Sequence, residues 1–423
     1  MIIFIIASFI ILPLAQALNL PVAFKQPPSP KRFAMLLSGG VDSSVALALL
    51  KKQHPTASIH AFYLRIHLEE ADSQLSYEGQ CPWEDDWEVC SQVCNDLSIP
   101  LQSIPLEDEY RLRVVDFCIE ESRKGRTPNP DVMCNRRIKF GAFVDKVDKI
   151  GDFDLIASGH YAHEQDGRLY RSVDSVKDQS YFLSTLTPSQ LSRVHFPLGR
   201  FTKKEVRDMA KEFGLVNAKR RESQGLCFLG KIRFDQFISG YLGENPGLIV
   251  DARDRSKILG QHKGLWFHTI GQRKGVGELL TNEFCAFGPW YVVSKDVESN
   301  VLLITNDYDE AEAERTEVNI DEIELVEGGN LDPENVFVKL RHGPEMARGK
   351  LILAGGEGER KCGRLVLEKK DKGLAPGQFV VFYGSDKKYD EGDVGLGNND
   401  SSEVILEDIM EDLAVLGRGV MTM

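Results

Sequence analysis

The chain has few cysteines and no apolar segment long enough for a comfortable membrane span. Its 423 residues include eight cysteines, which is too few for a disulfide scaffold. Cys81, Cys90 and Cys94 lie close together, but their spacing fits no structural zinc pattern and no fourth ligand is obvious. We therefore expect no metal site there and interpret these cysteines as a reduced, partly buried helix face.

The longest apolar run, Ile2–Leu14, is too short to span a membrane and lies where a signal peptide lies. Ala15-Gln16-Ala17 follows as an A-x-A cleavage site, although no basic residue precedes the run. Leu18–Arg32 then contains basic residues and no acid, as a transit segment does. We interpret residues 1–32 as a targeting presequence that resembles those of algae with complex plastids. A plastid location is expected, with the mitochondrion as the alternative, and no stable membrane association of the mature form.

Basic residues are outnumbered, since the formal net charge is −13. Asp307–Glu327 has ten acids and one base, and Asp390–Asp412 has nine acids and no base. Each segment carries −9, so the rest of the chain carries about +5. Its basic clusters can meet phosphate, although such clusters are more often solvated faces. They are Arg136-Arg137-Lys139, Lys203-Lys204-Arg207, Lys219-Arg220-Arg221 and Arg273-Lys274.

The stretch MLLSGGVDSSVALALL joins an apolar strand, a glycine turn and an apolar helix. A strand over Phe33–Leu37 and a helix from Ser44 place backbone N–H groups at a helix N-terminus, where an anion binds well. Asp42 would repel phosphates unless a metal or an ammonium lies between them. No lysine follows the second glycine, which excludes the GxxxxGK[ST] loop. SGGVDS instead resembles the pyrophosphate loop of enzymes that cleave ATP to AMP and pyrophosphate; the alternative is a capped helix without a ligand.

Strand and helix patterns alternate from Phe33 to the strand Phe153–Ala157, which ends in Ser158-Gly159-His160-Tyr161. Alternation of this kind predicts an α/β fold with a parallel sheet that binds ligands at the carboxyl ends of its strands. The glycine-rich stretch that follows predicts a small central domain, and short alternating segments after Glu283 predict an antiparallel β-barrel. The predicted ranges are 33–232 for the catalytic domain, 233–283 for the central domain, 284–387 for the barrel and 388–423 for an acidic tail. Within that tail, Val404–Leu416 can form a short helix.

Two cysteines lie in segments with chemical context. Cys134 follows the proline-broken segment TPNPDVM and precedes a helix start expected near Arg136, so its thiolate should be favoured. Asp131, three residues earlier, can accept a proton or orient a substrate hydroxyl. Cys227 lies in RRESQGLCFLG. Either cysteine alone is more typical of a core, but an adenylating loop with two cysteines suits a reaction in which persulfide sulfur replaces an activated carbonyl oxygen.

Eight motifs occur in order and together resemble one family. They are SGGVDSS, CPWEDD, GRTPNPDVMCNRRIKFG, ASGHYA, KDQSYFL, ESQGLCFLG, GLWFHTIGQRKGVG and GPWYVV. The similarity extends roughly from Phe33 to Tyr383 and is to the tRNA-specific 2-thiouridylases of bacterial MnmA type and their organellar relatives. The resemblance implies that ATP adenylates the 2-carbonyl of the wobble uridine in lysine, glutamate and glutamine tRNAs. Persulfide sulfur then replaces the oxygen, and AMP and pyrophosphate are released.

The same resemblance implies a set of site residues. Cys134 would be the nucleophile, Cys227 the persulfide cysteine that forms a transient disulfide with it, and Asp131 their catalytic partner. ATP, with Mg²⁺, would contact Leu36, Leu37, Ser38, Gly39, Gly40, Val41, Asp42, Ser43, Leu64 and Gly159. The tRNA would contact Asn129, Pro130, Asp131, Lys177, Asp178, Gln179, Arg341 and His342. Leu64 stands where bacterial members tend to have Met, and His342 stands where they have Tyr, which puts base stacking there in question.

Further partners and two rival functions belong to the same hypothesis. The resemblance implies a sulfur-relay protein or a cysteine desulfurase as the sulfur donor. An iron–sulfur cluster held by Cys134, Cys227 and Asp131 is the less favoured alternative. Another pyrophosphate-loop enzyme with an amine nucleophile, such as a lysidine-forming ligase, would need neither cysteine. A tRNA-binding scaffold without catalysis would tolerate decay of SGGVDS, which is intact.

Overall fold

The computed structural model describes residues 31–66, 82–221, 234–273, 275–276, 278–279, 289–307, 316–354, 361–371, 374–385 and 413–422. Nearly all of the predicted presequence lies outside this set. None of the helices found in it is long and apolar enough to cross a membrane.

The first domain contains seven strands and seven helical segments. The strands are β1 Arg32–Leu36, β2 Ser58–Arg65, β3 Leu101–Pro105, β4 Leu155–Ala157, β5 His163–Gln165, β6 Arg168–Tyr170 and β7 Val194–His195. The helices are α1 Val41–Gln53, α2 Pro82–Asp96, α3 (107–123), α4 (130–147), α5 Ser180–Leu183, α6 Pro188–Leu191 and α7 Lys203–Glu212. The middle of α3 and of α4 is π-helical, at Arg111–Val115 and Asn135–Ala142.

Five of these strands form the predicted parallel sheet, in the order β3-β2-β1-β4-β7. Successive side chains of β1 point to opposite faces, so Ala34 and Leu36 join one apolar core and Phe33 and Met35 join the other. Helices cover both faces, as a parallel sheet requires. The order reverses between β1 and β4, and the loops after these strands therefore border the crevice where such folds bind ligands.

The central domain begins with α8 Phe234–Leu242 and has a five-stranded sheet in the order β10-β9-β8-β12-β11. Its strands are β8 Gly247–Asp251, β9 Ile258–His262, β10 Glu278–Leu279, β11 Tyr291–Asp296 and β12 Val301–Thr305. The prediction placed the last two strands in the barrel. They pair instead within this sheet because Ile249, Val292, Leu302 and Ile304 share one buried cluster.

The remaining strands form a closed antiparallel barrel. They are β13 Glu317–Leu325, β14 Val336–Lys339, β15 Ala347–Ala354, β16 Cys362–Leu367, β17 Phe379–Ser385 and β18 Leu413–Thr422. Their order is β13-β16-β15-β14-β17-β18, and pairing between β13 and β18 closes the ring. Strand β18 also pairs with β6 of the first domain, through Ala414 and Tyr170.

Strand β18 lies within residues 388–423, which were predicted to be an acidic tail. A short helix was expected over Val404–Leu416, of which residues 404–412 lie outside the described set. Leu413–Leu416 belong to a strand, because Leu413 and Val415 pack into the core of the first domain while Met421 packs inside the barrel. A strand buried on both faces shows a continuous apolar run, which its sequence alone does not distinguish from a helix.

Candidate functional site

The loop after β1 has the form expected of an anion-binding loop. Ser38, Gly39 and Gly40 precede α1, and Gly39 adopts a φ of +74°, which favours glycine. The Ser43 Oγ accepts a hydrogen bond of 3.2 Å from the Ser38 N–H and donates one of 3.1 Å to the Gly40 carbonyl. Leu36, Leu37 and Val41 have buried side chains. Only their backbone atoms are therefore available to a nucleotide.

Gly159 brings the loop after β4 against this anion-binding loop. A Cβ at Gly159 would lie 2.7 Å from the Ser43 backbone nitrogen and 2.8 Å from the Ser43 Cα. Any side chain would therefore force the two loops apart. Gly159 was predicted to approach the nucleotide, and in the fold it lies against the anion-binding loop. Leu64, the other residue expected near the nucleotide, lies on β2 opposite Ile104.

Asp42 forms an ion pair with an ammonium group. A cation is needed there because the Asp42 carboxylate would otherwise repel an anion bound to the neighbouring amides. The Lys203 Nζ lies 2.7 and 2.8 Å from the two carboxylate oxygens of Asp42, and the Tyr161 hydroxyl donates to one of them at 2.9 Å. Lys203 is the first residue of α7, whose N-terminus Thr202 and Glu205 hold through a capping box. In the sequence, Lys203 is recognisable only as part of the basic cluster Lys203-Lys204-Arg207. No other sequence feature of Lys203 pointed to its contact with Asp42.

Two residues that were not predicted as part of the site, Asn217 and Arg220, form hydrogen bonds to the glycine turn. The Asn217 side-chain amide donates to the Gly39 carbonyl and to the Ser44 hydroxyl, each at 2.9 Å. Arg220 donates to the same carbonyl at 3.1 Å and forms an ion pair with Asp86. These contacts fix the Gly39 peptide and add positive charge beside the loop.

His160 joins the loop after β4 to α4. Its Nδ1 lies 2.8 Å from the Ser158 hydroxyl, and its Nε2 lies 3.5 Å from the Lys139 ammonium. Burial, and then the Lys139 charge, hold the pKa of His160 well below its ordinary value. The imidazole is therefore neutral at pH 7. Lys139 is five residues after Cys134 on α4. This contact therefore connects the helix that contains Cys134 to the loop after β4, which packs against the anion-binding loop.

Helix α4 begins earlier than predicted, and this changes the setting of Cys134. The Asn129 side chain caps the helix by accepting from the Val132 N–H at 3.3 Å, and Pro130 occupies the first helical position. Cys134 is therefore inside the helix rather than ahead of its N-terminus. Its side chain is 1 % exposed and belongs to the core of the first domain. Cys227, its predicted partner, lies outside the described residues.

Other cysteines have the settings of structural thiols. Cys90 and Cys94 lie on the buried face of α2, as predicted. Cys118, on α3, is fully buried; burial, with a further contribution from Asp131, raises the pKa of its thiol to about 12. Within the described part of the chain, no group of three His, Cys, Asp or Glu side chains is placed to hold a metal ion.

Most of the predicted RNA-contacting residues meet where the barrel packs on the first domain. The Asn129 amide donates to the Gln378 side chain at 3.2 Å, and Gln378 donates in turn to the Thr127 carbonyl at 2.9 Å. The His342 ring stacks on Phe182 with the ring centroids 4.5 Å apart. An aromatic ring thus remains at the position where His replaces Tyr. Gln378, which sequence reasoning missed, ties the two domains together at this point.

Asp178 differs from its predicted role as a surface contact. It is fully buried, and its carboxylate accepts from the Lys339 Nζ at 2.6 Å and from the Arg171 Nε at 3.4 Å. Lys339 is equally buried at the end of β14. The Asp178 side chain therefore joins the barrel to the first domain and is not accessible to an RNA. Its neighbour Gln179 accepts from the Tyr161 backbone N–H at 2.9 Å.

Three family models match the chain in series. The tRNA methyl transferase HUP domain matches residues 31–231, the tRNA methyl transferase PRC-barrel domain matches 235–306, and the aminomethyltransferase beta-barrel domain matches 315–398. The middle match includes β11 and β12, in agreement with the observed sheet. Fold and loop together define a HUP-domain protein whose first domain is of a kind that uses ATP.

Curated relatives then specify the family. The tRNA-specific 2-thiouridylase MnmA of Parabacteroides distasonis is 41% identical over 361 residues, which cover 84% of this chain and 95% of that protein. The Porphyromonas gingivalis protein of the same name is 40% identical over 365 residues, covering 84% and 95%. The Bacteroides fragilis tRNA-specific 2-thiouridylase MnmA 2 is 39% identical over 372 residues, covering 86% and 99%. The chain belongs to the tRNA-specific 2-thiouridylase MnmA family.

Proposed function

We propose that the protein is an ATP-dependent tRNA 2-thiouridylase. It adenylates the 2-carbonyl of the wobble uridine in lysine, glutamate and glutamine tRNAs and exchanges the oxygen for sulfur. The observation that carries this proposal is the contact between Lys139 and His160. It joins the helix that contains Cys134 to the loop that packs against the anion-binding loop. This link supports the proposal that the cysteine and the anion-binding loop belong to one site.

In the activation step, the chain's own groups bind and orient ATP. The backbone amides at the N-terminus of α1 would hold the phosphates, and the helix dipole of α1 favours their charge. Lys203 neutralises Asp42 so that this carboxylate does not repel them. Mg²⁺ brought with the nucleotide supplies further positive charge at the phosphate oxygens. The uridine oxygen attacks the α-phosphorus, pyrophosphate leaves, and AMP becomes a good leaving group on C2.

In the sulfur step, Cys227 carries the terminal sulfur as a persulfide. That sulfur attacks C2 of the uracil ring and AMP departs. The Cys134 thiolate then attacks the Cys227 sulfur, which breaks the S–S bond to the ring and leaves a 2-thiouridine and a Cys134–Cys227 disulfide. An external thiol must reduce this disulfide before the next turnover. A cysteine desulfurase or a sulfur-relay protein supplies the persulfide.

The alternative sulfur chemistry uses an iron–sulfur cluster held by Cys134, Cys227 and Asp131. Cys134 and Asp131 lie within one helical segment, and Cys118 of α3 is close enough to Asp131 for that carboxylate to add to the effect of burial in raising the pKa of its thiol. Thiolation by aerobically purified, iron-free protein with a persulfide donor would favour the disulfide route. Activity that appears only after anaerobic reconstitution with iron and sulfide would favour the cluster.

The first test measures sulfur in RNA. An unmodified tRNA transcript is incubated with the full chain, ATP, magnesium and a persulfide donor, and its nucleosides are analysed by mass spectrometry. We expect ATP-dependent 2-thiouridine at the wobble position. Cys134→Ala should abolish it, whereas Cys118→Ala, which removes an equally buried thiol from the neighbouring helix, should not. AMP and pyrophosphate without thiolated RNA would move the proposal to another nucleophile.

We also propose a plastid location, with the mitochondrion as the alternative, from the pattern of residues 1–32. A fluorescent protein fused behind this segment should enter the plastid of an alga with a complex plastid. Accumulation in the mitochondrion would support the alternative, and diffuse fluorescence would contradict the presequence interpretation.

A further inference from the structure

A cleft of about 520 Å³ lies beside α4, and arginines are the main charged residues of its lining. Arg136 and Arg137 come from α4, Arg113 from α3, and Arg193 from the turn before β7. Thr187, Ser189 and Gln190 contribute polar groups on the other side. None of these four arginines was assigned to the adenylation or sulfur-transfer steps.

The carboxylates of the cleft do not cancel its positive charge. Asp148 forms a two-bonded pair with Arg193, at 2.7 and 2.8 Å, and Asp145 lies 4.0 Å from Arg113. No carboxylate of the described residues pairs with the Arg136 guanidinium, which is partly exposed. Four arginines against two aspartates leave a net charge of +2 on this lining.

Arg136 also faces other cations rather than acids. Burial lowers the pKa of Arg137, and the Arg136 charge adds to that effect. Arg418 of the barrel strand β18 is a second cation near Arg136: burial lowers the pKa of Arg418, its ion pair with Glu324 raises it, and the charge of Arg136 lowers it. Crowded guanidinium groups repel one another, and a bound anion would relieve this repulsion.

The cleft follows α4 away from the sulfur-transfer site. Its lining extends from Arg136, two residues after Cys134, to Asp148. The two ends of this stretch are several helical turns apart, which is farther than one phosphate group reaches. Guanidinium groups bind phosphate oxygens through paired N–H donors. An extended polyanion with regularly spaced phosphates therefore fits the cleft better than a small anion.

We propose that this arginine cleft binds the phosphate backbone of the tRNA next to the wobble uridine. The inference rests on the proposed function, because it takes the RNA that is thiolated at Cys134 to be the same RNA that lies along α4. Arg136 then acts as a positioning residue: it fixes where the strand lies and has no part in the chemical steps.

Binding of an unmodified tRNA transcript, measured by fluorescence anisotropy at several salt concentrations, tests the proposal. Arg136→Ala should weaken binding and reduce the slope of log affinity against log salt by about one, since one phosphate contact is lost. Arg136→Lys keeps the charge and should restore the slope but not the full affinity. Arg113→Ala should act like Arg136→Ala. Arg255→Ala is the matched control, because Arg255 is an exposed arginine of the central domain paired with Asp296.

Steady-state thiolation separates this proposal from the proposed function. Arg136→Ala should raise the KM for tRNA several-fold and leave the KM for ATP and kcat near those of the wild type. If the wild type binds tRNA but forms no thiouridine, the proposed function fails while the binding measurement still tests the cleft. An unchanged salt slope in both alanine variants, at wild-type melting temperatures, would overturn the proposal. Loss of binding to an acidic sulfur-donor protein with tRNA affinity intact would also overturn it.

Discussion

Asp42 lies among backbone amides arranged for anions, and its carboxylate is acceptable there because Lys203 lies against it. The pair is partly shielded, with Lys203 15 % and Asp42 32 % exposed. Tyr161 holds the same carboxylate from a third element. Asp42, Tyr161 and Lys203 are far apart in sequence. They therefore come into contact only when the chain is folded.

Lys203→Gln should lower kcat/KM for ATP by about thirtyfold or more, because truncating one partner of a shielded charge pair costs about 2 kcal/mol or more. The remaining Asp42 charge would then repel the incoming phosphates. Steady-state pyrophosphate release measures the effect. Lys204→Gln, on the exposed side of the same helix turn, is the control and should be near neutral. Equal effects of the two substitutions would contradict the role assigned to Lys203.

A second residue-level prediction concerns His268 of the central domain. Burial, with His262 and Lys295 adding to it, lowers the pKa of His268 to about 4. The neutral form is therefore favoured by folding, and stability is present above the ordinary pKa of 6.5 and is lost as the pH falls toward 4. Between pH 7 and pH 5 the loss should be about 2 kcal/mol.

Hydrogen exchange of the β8 and β12 amides reports this loss as a lower opening free energy for the central domain. His268→Gln removes the titrating group and should flatten the pH dependence, although the variant itself will be less stable at pH 7. A variant that kept the full pH dependence would show that another group is responsible. His262 is the first alternative, since its ring lies 5.9 Å from His268.

Among the elements, α4 and β18 show how tertiary context changes a local pattern. In α4, Pro130 looks like a helix breaker, yet it occupies the first helical position, where its missing N–H costs nothing. In β18, an apolar run at the end of an acidic segment looks like a tail or a short helix. Two neighbouring strands and the first domain bury it instead.

Removal of residues 413–423 should open the barrel and lower the thermal midpoint by about 10 °C or more, because several fully buried side chains lose their packing. Differential scanning fluorimetry measures this. The matched control replaces residues 386–412 by a five-residue Gly/Ser turn: Ser385 and Leu413 are paired partners, so a short turn can close this hairpin. A truncated chain as stable as the control would refute the role of β18.

Across the whole molecule, one series of contacts runs from the nucleotide loop to the barrel. Tyr161 donates to Asp42, and the Tyr161 backbone is bonded to Gln179 in both directions. Asp178, next in sequence to Gln179, binds Lys339 of β14. The barrel that presents His342 is therefore positioned by the same segment that supports the anion-binding loop.

Lys339→Met should destabilise the protein by about 3 kcal/mol or more, because the Asp178 charge stays buried with only Arg171 against it. The barrel should also loosen from the first domain, which small-angle scattering would record as a larger radius of gyration. Lys350→Met, which removes an exposed ion pair with Glu334 in the same barrel, should cost less than about 1 kcal/mol. Equal losses of stability in the two variants would mean that the buried Lys339–Asp178 pair contributes no more than the exposed Lys350–Glu334 pair.

Local patterns were sufficient for the α/β alternation, the parallel sheet and the existence of a β-barrel, but they identified neither β18 nor the sheet to which β11 and β12 belong. Strand β3 and strand β12 have the bounds that the sequence predicted, Leu101–Pro105 and Val301–Thr305. These features arise from the spacing of apolar residues and from glycine turns, which act over a few residues. The anion-binding form of the loop is also a local pattern, because SGGVDS places its donors within one turn.

The sequence by itself determined most of the strands and helices, because these follow from local patterns, whereas tertiary structure decided which of them meet. Lys203 beside Asp42, Gln378 beside Asn129 and Lys339 beside Asp178 are pairs 161, 249 and 161 residues apart. The same holds for Asp178, which its motif placed at an RNA surface and the fold buries. Long-range contacts depend on the packing of whole elements against one another, and no local pattern of residues contains that information.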